Sequence, residues 1–443
     1  NNCTAVGKNA LGTTVDGAFN TAVGTGALAA DCGNDNTAVG SGVLDVFTGS
    51  DTTAVGSGAA AYLIDGLQNT VVGQNALYRA TTNDYNTVMG YGAGGHASGL
   101  SDSNTYIGHL TGYRRGGGDH NTAVGRYAML GSEAAISCVT HSNTTVEPAS
   151  APNAVIAVGQ TITGSNVPVG TYVSAITGGA GSVTSFQLSQ AATTSTTVSF
   201  TFAVPTGDHN VAVGSSALAA ATTGHSNVAI GGYTLDAVTT GHSNVAIGYN
   251  AGTAFTDNIY NIAIGYGAMA SVNGGEHYNI AIGASALTAE TSSADGCVAI
   301  GHEALKAQNR DGSSNTAIGY LALTNLGSGV TYGGVNCTAV GYEAGGSGVF
   351  GGGSNGHGDD NTLFGHQAGK AITTGSANTC LGDRSGTALD TGSSNTCIGK
   401  GAGKALEGNS SNVAIGWNAL DAANSGLENY NVAIGVNTMG NET

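Results

Sequence analysis

Residues 222–231 and 239–248 both read TTGHSNVAIG, the second copy starting 17 residues after the first. Its last five letters are one case of a wider pattern: Asn, a β-branched residue, usually Ala, an aliphatic residue, then Gly. Asn227 and Gly231 anchor one copy, Asn244 and Gly248 the next. The pattern recurs 21 times between Gly7 and Gly435, mostly 16–19 residues apart. A unit written this often is a building block rather than a site. One interval, Gly125 to Gly214, is 89 residues; one ordinary period subtracted leaves 72 inserted residues.

Taken as a strand, NTAVG alternates its side chains between two faces. Thr or Val three before the Gly and Val or Ile one before it share a bulky face; Asn, Ala and Gly share a small one. Dense Gly and β-branched residues disfavour a helix. A second apolar pair follows, as in Ala10–Leu11, Ala27–Leu28, Ala217–Leu218 and Ala419–Leu420, and reads as a short second strand. The rest of each period is polar. One period is thus one coil of a parallel β-solenoid, whose coils bury a shared core only by stacking. At about 4.8 Å per rung, 21 rungs make a rod of about 100 Å. Gly permits positive φ or close approach at a corner. Asn, present in 17 of 21 copies, tolerates left-handed backbone and can bond between rungs. An Ala/Gly stripe on the outside would need a cover, most simply the same stripe on a symmetry-related copy.

The chain divides into solenoid coils over 1–130 and 208–443 and an inserted domain over 131–207. The insertion holds all four prolines (Pro148, Pro152, Pro168, Pro205) and no Lys, Arg or Asp. Segments such as AVIAVGQTIT, GTYVSAIT and TTVSFTFAV alternate with turn signals, which predicts a small antiparallel β-sandwich.

Composition narrows the function. A formal charge of −17 with 11 Lys+Arg argues against nucleic acid, which needs basic clusters. No run of 18 apolar residues exists to insert into a membrane. The chain begins at Asn1 without a signal peptide and reads as a piece of something longer. Cys3, Cys297 and Cys337 replace the repeat Asn, and Cys380 and Cys397 the repeat Ala, the behaviour of small buried free thiols.

Asp84, Asp102, Asp119 and Asp208 all stand six before their repeat Gly, on four successive rungs if the stack continues past the insertion. Like charges one rung apart repel by about 1 kcal/mol in water. Calcium would relieve that, and so would solvated turn caps, the preferred reading. The equivalently placed pairs His120/His209 and His225/His242 read as polar loop residues rather than as metal ligands. Tyr91, Tyr249, Tyr266, Tyr320, Tyr342 and Trp417 follow the repeat Gly. Such rings brace a sheet or meet sugar faces; Tyr249, Tyr266, Tyr320, Tyr342 and Trp417 are the glycan-contact candidates. No nucleophile elbow, zinc signature or phosphate loop occurs, so no catalytic residue and no cofactor are assigned, and the chain is not read as an enzyme.

NVAIG at 227–231, 244–248, 412–416 and 431–435 resembles the repeat of YadA-like heads in trimeric autotransporter adhesins. NTAVGTGAL at 20–28 is similar to repeats of phage tail-fibre proteins, and VPVGTYVSAI and SFQLSQAAT to domains within such fibres. The resemblance covers about 365 of the 443 residues. It implies a left-handed β-roll, three chains side by side, and an extracellular homotrimer that attaches to a host-surface glycan or receptor. The period is longer than the adhesin's and no anchor follows Gly435, which favours a virion fibre over a bacterial surface adhesin. A polysaccharide-cleaving tailspike, with a carboxylate pair converging between chains, is the alternative from another class.

Overall fold

The structure is a computed structural model. It describes residues 2–95, 102–113, 118–130, 207–272, 275–289, 295–308, 314–326, 334–346, 358–421 and 429–440, and the backbone of six strands between 135 and 202. The chain forms two compact units, Asn1–Ser243 and Asn244–Thr443. Each carries a stack of three-residue strands, ten in the first unit and eleven in the second. Within each unit these strands pair parallel and in register, motif position on motif position: Ala22 on Ala38, Ala246 on Ala263, Ala281 on Ala299. Among the described residues there is no helix. The fold is therefore an all-β parallel solenoid.

The coil carries one strand, not two. The Ala–Leu pair after the Gly lies in turns because alternate residues there are left-handed: Ser216 at φ 57° and Leu218 at 50°, Asn75 at 55° and Leu77 at 50°. Extended backbone cannot continue through such an alternation. The turns close locally, as where Ala59 N donates to Gly56 O (3.1 Å) and Phe47 N to Leu44 O (3.3 Å).

The two faces of the strand are the reverse of those expected. Ala22, Ala229 and Ala246 are fully buried inside their own chain, as are Asn20, Asn227 and Asn244. The flanking β-branched residues point outward, half-exposed. The small stripe is the lining of the coil, so the expected Ala/Gly contact between copies is overturned. The reason is width: a coil of one short strand and tight turns has room opposite its Leu for little more than a methyl group. On the rung of Gly73 a valine, Val71, fits beside Leu77, but where a still larger residue or a cysteine takes the Ala place, glycine takes the Leu place. Tyr106, Leu363, Cys380 and Cys397 face Gly112, Gly369, Gly386 and Gly403. A Cβ on Gly369 would lie 2.6 Å from Leu363 Cδ2, and one on Gly112 2.9 Å from Tyr106 Cδ2. A further buried column stands seven after the Gly, with Phe47, Leu63, Val238, Phe255, Ile372 and Leu389. Polarity in sequence predicts only loop for that half of the period; burial of this column is the difference the structure shows.

Two ladders hold the rungs together. The buried Asn of one rung accepts, at Oδ1, the backbone N–H of the next: Asn36 on Asn20 (2.9 Å), Asn261 on Asn244 (3.0 Å), Asn395 on Asn378 (3.0 Å). Buried amides so paired stabilise rather than cost. The repeat Gly takes φ near 135°, and a Cβ on Gly283 would sit 2.4 Å from Gly301 O.

Within 131–207, six strands form one antiparallel sheet, running from Ile162–Thr163 through Thr196–Phe202, Ala135–Thr140, Thr145–Pro148 and Ser185–Leu188 to Val173–Thr177. Whether this sheet folds into the expected two layers rests on side chains outside the described residues. The solenoid closes over the insertion: Thr122, Ala123 and Val124 pair with Val211, Ala212 and Val213.

Candidate surface ladders

In-register stacking turns any residue that recurs at one place in the period into a column on the surface. Three columns carry the candidate chemistry.

The first stands six before the Gly. Asp84 Oδ1 accepts Leu67 N (2.7 Å), Asp102 Oδ1 accepts Asp84 N (2.9 Å), Asp119 Oδ1 accepts Asp102 N (2.9 Å), and Asp208 Oδ1 accepts Asp119 N (2.8 Å). Each carboxylate caps the rung before it, and the ladder runs unbroken past the insertion. Ser50, Asn34, Ser376, Ser393, Ser410 and Asn429 do the same at the same place. Short acceptors recur in this column, Asp among them, although Ala18, Leu67, Ile259 and Val335 also stand there and His277 Nδ1 accepts Ile259 N (3.2 Å). Among the described residues, no group of three or more His, Cys, Asp or Glu side chains is placed to hold a metal ion.

The histidine pairs stack on neighbouring rungs, in two columns. His120 and His209 (centroids 5.1 Å, 8°) stand five before the Gly; His225 and His242 (4.5 Å, 7°) stand six before it. Parallel rings direct their nitrogens side by side rather than toward a common point.

The third column directly follows the Gly. Tyr249 and Tyr266 stack at 5.8 Å, and His302, Tyr320, Tyr342 and His366 form a run at 5.1, 5.4 and 5.4 Å. The run continues as charge: His366 Nδ1 lies 2.9 Å from Asp383 Oδ1, and Lys400 Nζ 3.6 Å from Asp383 Oδ2. The hydrogen bond from His366 holds the Asp383 carboxyl below its usual range, and bonds from Lys370 and Gln367 do the same for Glu343. The Glu343 charge pushes the neighbouring Tyr342 hydroxyl up. All five glycan-contact candidates are exposed. Yet a ring inside a stack has its faces covered by its neighbours and presents its edge to solvent. That geometry braces the rungs and leaves sugar-stacking to rings at the end of a run.

Cys3, Cys32, Cys297, Cys337, Cys380 and Cys397 are free. Burial pushes Cys337 up to about 12 and raises Cys32; the Cys397 thiol and burial together raise Cys380. Thiols so raised are protonated at neutral pH and make poor nucleophiles.

A fourth group escaped the sequence reading. Tyr62, Tyr78, Arg79 and Tyr113 lie in the turns five and six after the Gly, on three rungs around Gly95. Tyr62 and Tyr78 meet edge to face at 5.0 Å, and their hydrogen bond raises the Tyr78 hydroxyl. The signal was available: Tyr78 and Tyr113 share a place in the period, and Gly95 stands between them.

No helix of the described residues is long and apolar enough to cross a membrane. No protein-family model matches the chain, and no curated protein or solved structure matches it.

Proposed function

We propose that this chain is the shaft and receptor-contacting part of a trimeric attachment fibre, extracellular and carried on a virion, that binds a host-surface glycan without cleaving it. The observation that carries the reading is the outward face of the strand stack. Val245, Ile262, Ile280 and Val298 stand three before the Gly on successive rungs, and Ile247, Ile264, Ile282 and Ile300 one before it. Two adjacent columns of β-branched residues left half-exposed make an apolar strip that a folded monomer has no internal use for. Closed cyclic association covers such a strip. A left-handed coil, three copies and a sandwich-like insertion follow from the resemblance of the NVAIG repeat to fibre and adhesin heads.

Attachment follows from the geometry of repetition. Each surface column recurs on every copy, so weak single contacts combine through effective concentration. The test is attachment of the purified protein to host cells, with release of sugar fragments measured alongside. Saturable binding with no fragments supports the fibre reading. Fragments released from host polysaccharide would replace it with a cleaving spike, and absence of binding would leave only a shaft.

A further inference from the structure

We infer that the exposed surface carrying Trp417, Asn418, Lys404 and Arg384 is the site through which the fibre holds its glycan, and that the glycan bears carboxylates. The inference rests on the attachment reading and names both the place and the class of sugar.

The surface lies in the second unit, on the turns that follow the repeat Gly of three successive rungs. Thr379 pairs with Thr396 and Thr396 with Val413, so the turns after Gly382, Gly399 and Gly416 stack in register. The column directly after the Gly reads Asp383, Lys400, Trp417, and the next reads Arg384, Gly401, Asn418. The column five after the Gly reads Thr387, Lys404, Asp421. Side chains two and five after the Gly reach one another. Lys306 Nζ meets Glu303 Oε1 at 2.7 Å, and Lys370 Nζ meets Glu343 Oε2 at 2.5 Å. Lys404 therefore shares one surface with Arg384 and Asn418.

Trp417 differs from the tyrosines of its column. Its neighbours there are Lys400 and Val436, so no ring stands on the rung before or after it. Lys400 reaches back to Asp383 Oδ2 (3.6 Å) on the rung before, rather than toward the indole on the rung after. Among the described residues no ring stacks on Trp417, which is 53% exposed. Beside it the Asn418 side chain lies over Gly401, where a Cβ would stand 2.5 Å from Asn418 Oδ1. An aromatic face next to an amide combines apolar contact with hydrogen bonding, which suits a pyranose ring.

Charge selects the class. The protein carries 28 Asp+Glu against 11 Lys+Arg, yet Lys370, Arg384, Lys400 and Lys404 stand on three successive rungs. Lys370 is held by Glu343 and Lys400 by Asp383. Arg384 and Lys404 are exposed and, among the described residues, paired with no carboxylate. The acids of this surface are Asp383, already occupied by His366 and Lys400, and Asp421, which shares the Lys404 column without an ion pair to it among the described residues. A neutral sugar would leave both free cations unused. A carboxylate accepts a bidentate fork from a guanidinium and a charged hydrogen bond from an ammonium. Arg384 and Trp417 stand two rungs apart, about 10 Å along the stack, an interval that a chain of sugars spans and a single ring does not.

The test uses the full chain with two probes, an oligogalacturonate hexamer and maltohexaose. Trp417 is the one tryptophan of the sequence, so its emission reports on this surface directly, and calorimetry gives the affinity of the variants that lack it. The uronate should change the emission saturably, and bind more weakly as salt rises. Trp417→Ala should weaken it about tenfold, and Trp417→Tyr, which keeps a ring, should lose less. Arg384→Gln with Lys404→Gln, both on exposed side chains, should weaken the uronate several-fold while leaving maltohexaose unaffected. The change Tyr249→Ala with Tyr266→Ala should leave both probes unaffected. Uronate binding that is absent, or that neither moves the emission nor responds to Trp417→Ala, overturns the site. Equal binding of maltohexaose, with no effect of the paired glutamines, overturns the acidic class. Host-cell attachment measured on the same proteins separates the two readings. Cells held equally by Trp417→Ala remove this site but not the fibre; uronate binding at Trp417 without cell attachment removes the fibre but not the sugar site.

Discussion

At the scale of the residue, the repeat Gly is the least replaceable position. Two independent requirements meet there: φ near 135° and backbone from the next rung within van der Waals distance. Gly283 is a clean case, because the Gly301 carbonyl stands 2.4 Å from where its Cβ would be. Strain from the backbone angle alone is worth about 1–3 kcal/mol, and the clash adds to it. Gly283→Ala should therefore lower stability by about 3 kcal/mol or more, read as the urea midpoint of unfolding. A loss within about 0.5 kcal/mol, the range of an ordinary surface change, would show that the rungs can part to admit a methyl group. The Gly and Asn roles were legible in the sequence, because each follows from one residue type at one place. The short acceptor six before the Gly was harder to see, since Asp, Ser and Asn look unrelated until their shared bond to the preceding rung is known.

At the scale of the element, a single coil is a small volume filled in more than one way. Nine of the 21 rungs place Ala two before the Gly and Leu four after it, the commonest arrangement; the rung of Gly365 places Leu363 and Gly369. Leu363→Ala alone leaves a cavity and should cost about 2–5 kcal/mol. Gly369→Leu alone drives its side chain into Leu363, whose Cδ2 is 2.6 Å from the new Cβ, and should cost at least as much as ordinary overpacking, about 1–3 kcal/mol. The pair together restores the common arrangement, and Gly369 at φ 56° is already close to the 50° of Leu218 and the 48° of Leu28. The double variant should recover most of both losses, a coupling well above the additive limit of about 0.5 kcal/mol. Strict additivity would mean that the two places do not share a space. The sequence showed that the strand had a small face and a bulky face, but alternation is silent about which one points inward. The width of the coil decides that. It became visible only through the exceptions, where Tyr106 fits because Gly112 makes room.

At the scale of the whole molecule, the inversion of faces changes which residues the proposed trimer can use to join its copies. If the Ala lining were the contact between chains, Ala263→Glu would give a folded monomer. Ala263 is fully buried within its own coil, so a glutamate there leaves an uncompensated charge in the core, and the chain should fail to fold. The proposed trimer therefore places its contact on the outward columns instead. Ile262 and Ile280 pair in register on neighbouring rungs and are half-exposed. Ile262→Lys with Ile280→Lys therefore puts two charges into the proposed interface while leaving the interior untouched. The unchanged protein should sediment as a trimer, and the lysine pair as a monomer with the same far-ultraviolet circular dichroism. A monomer before any change would remove the trimer. A lysine pair that still trimerises would move the interface to another face. A lysine pair that unfolds would show that the outward columns are needed by each chain alone, which their half-exposure argues against.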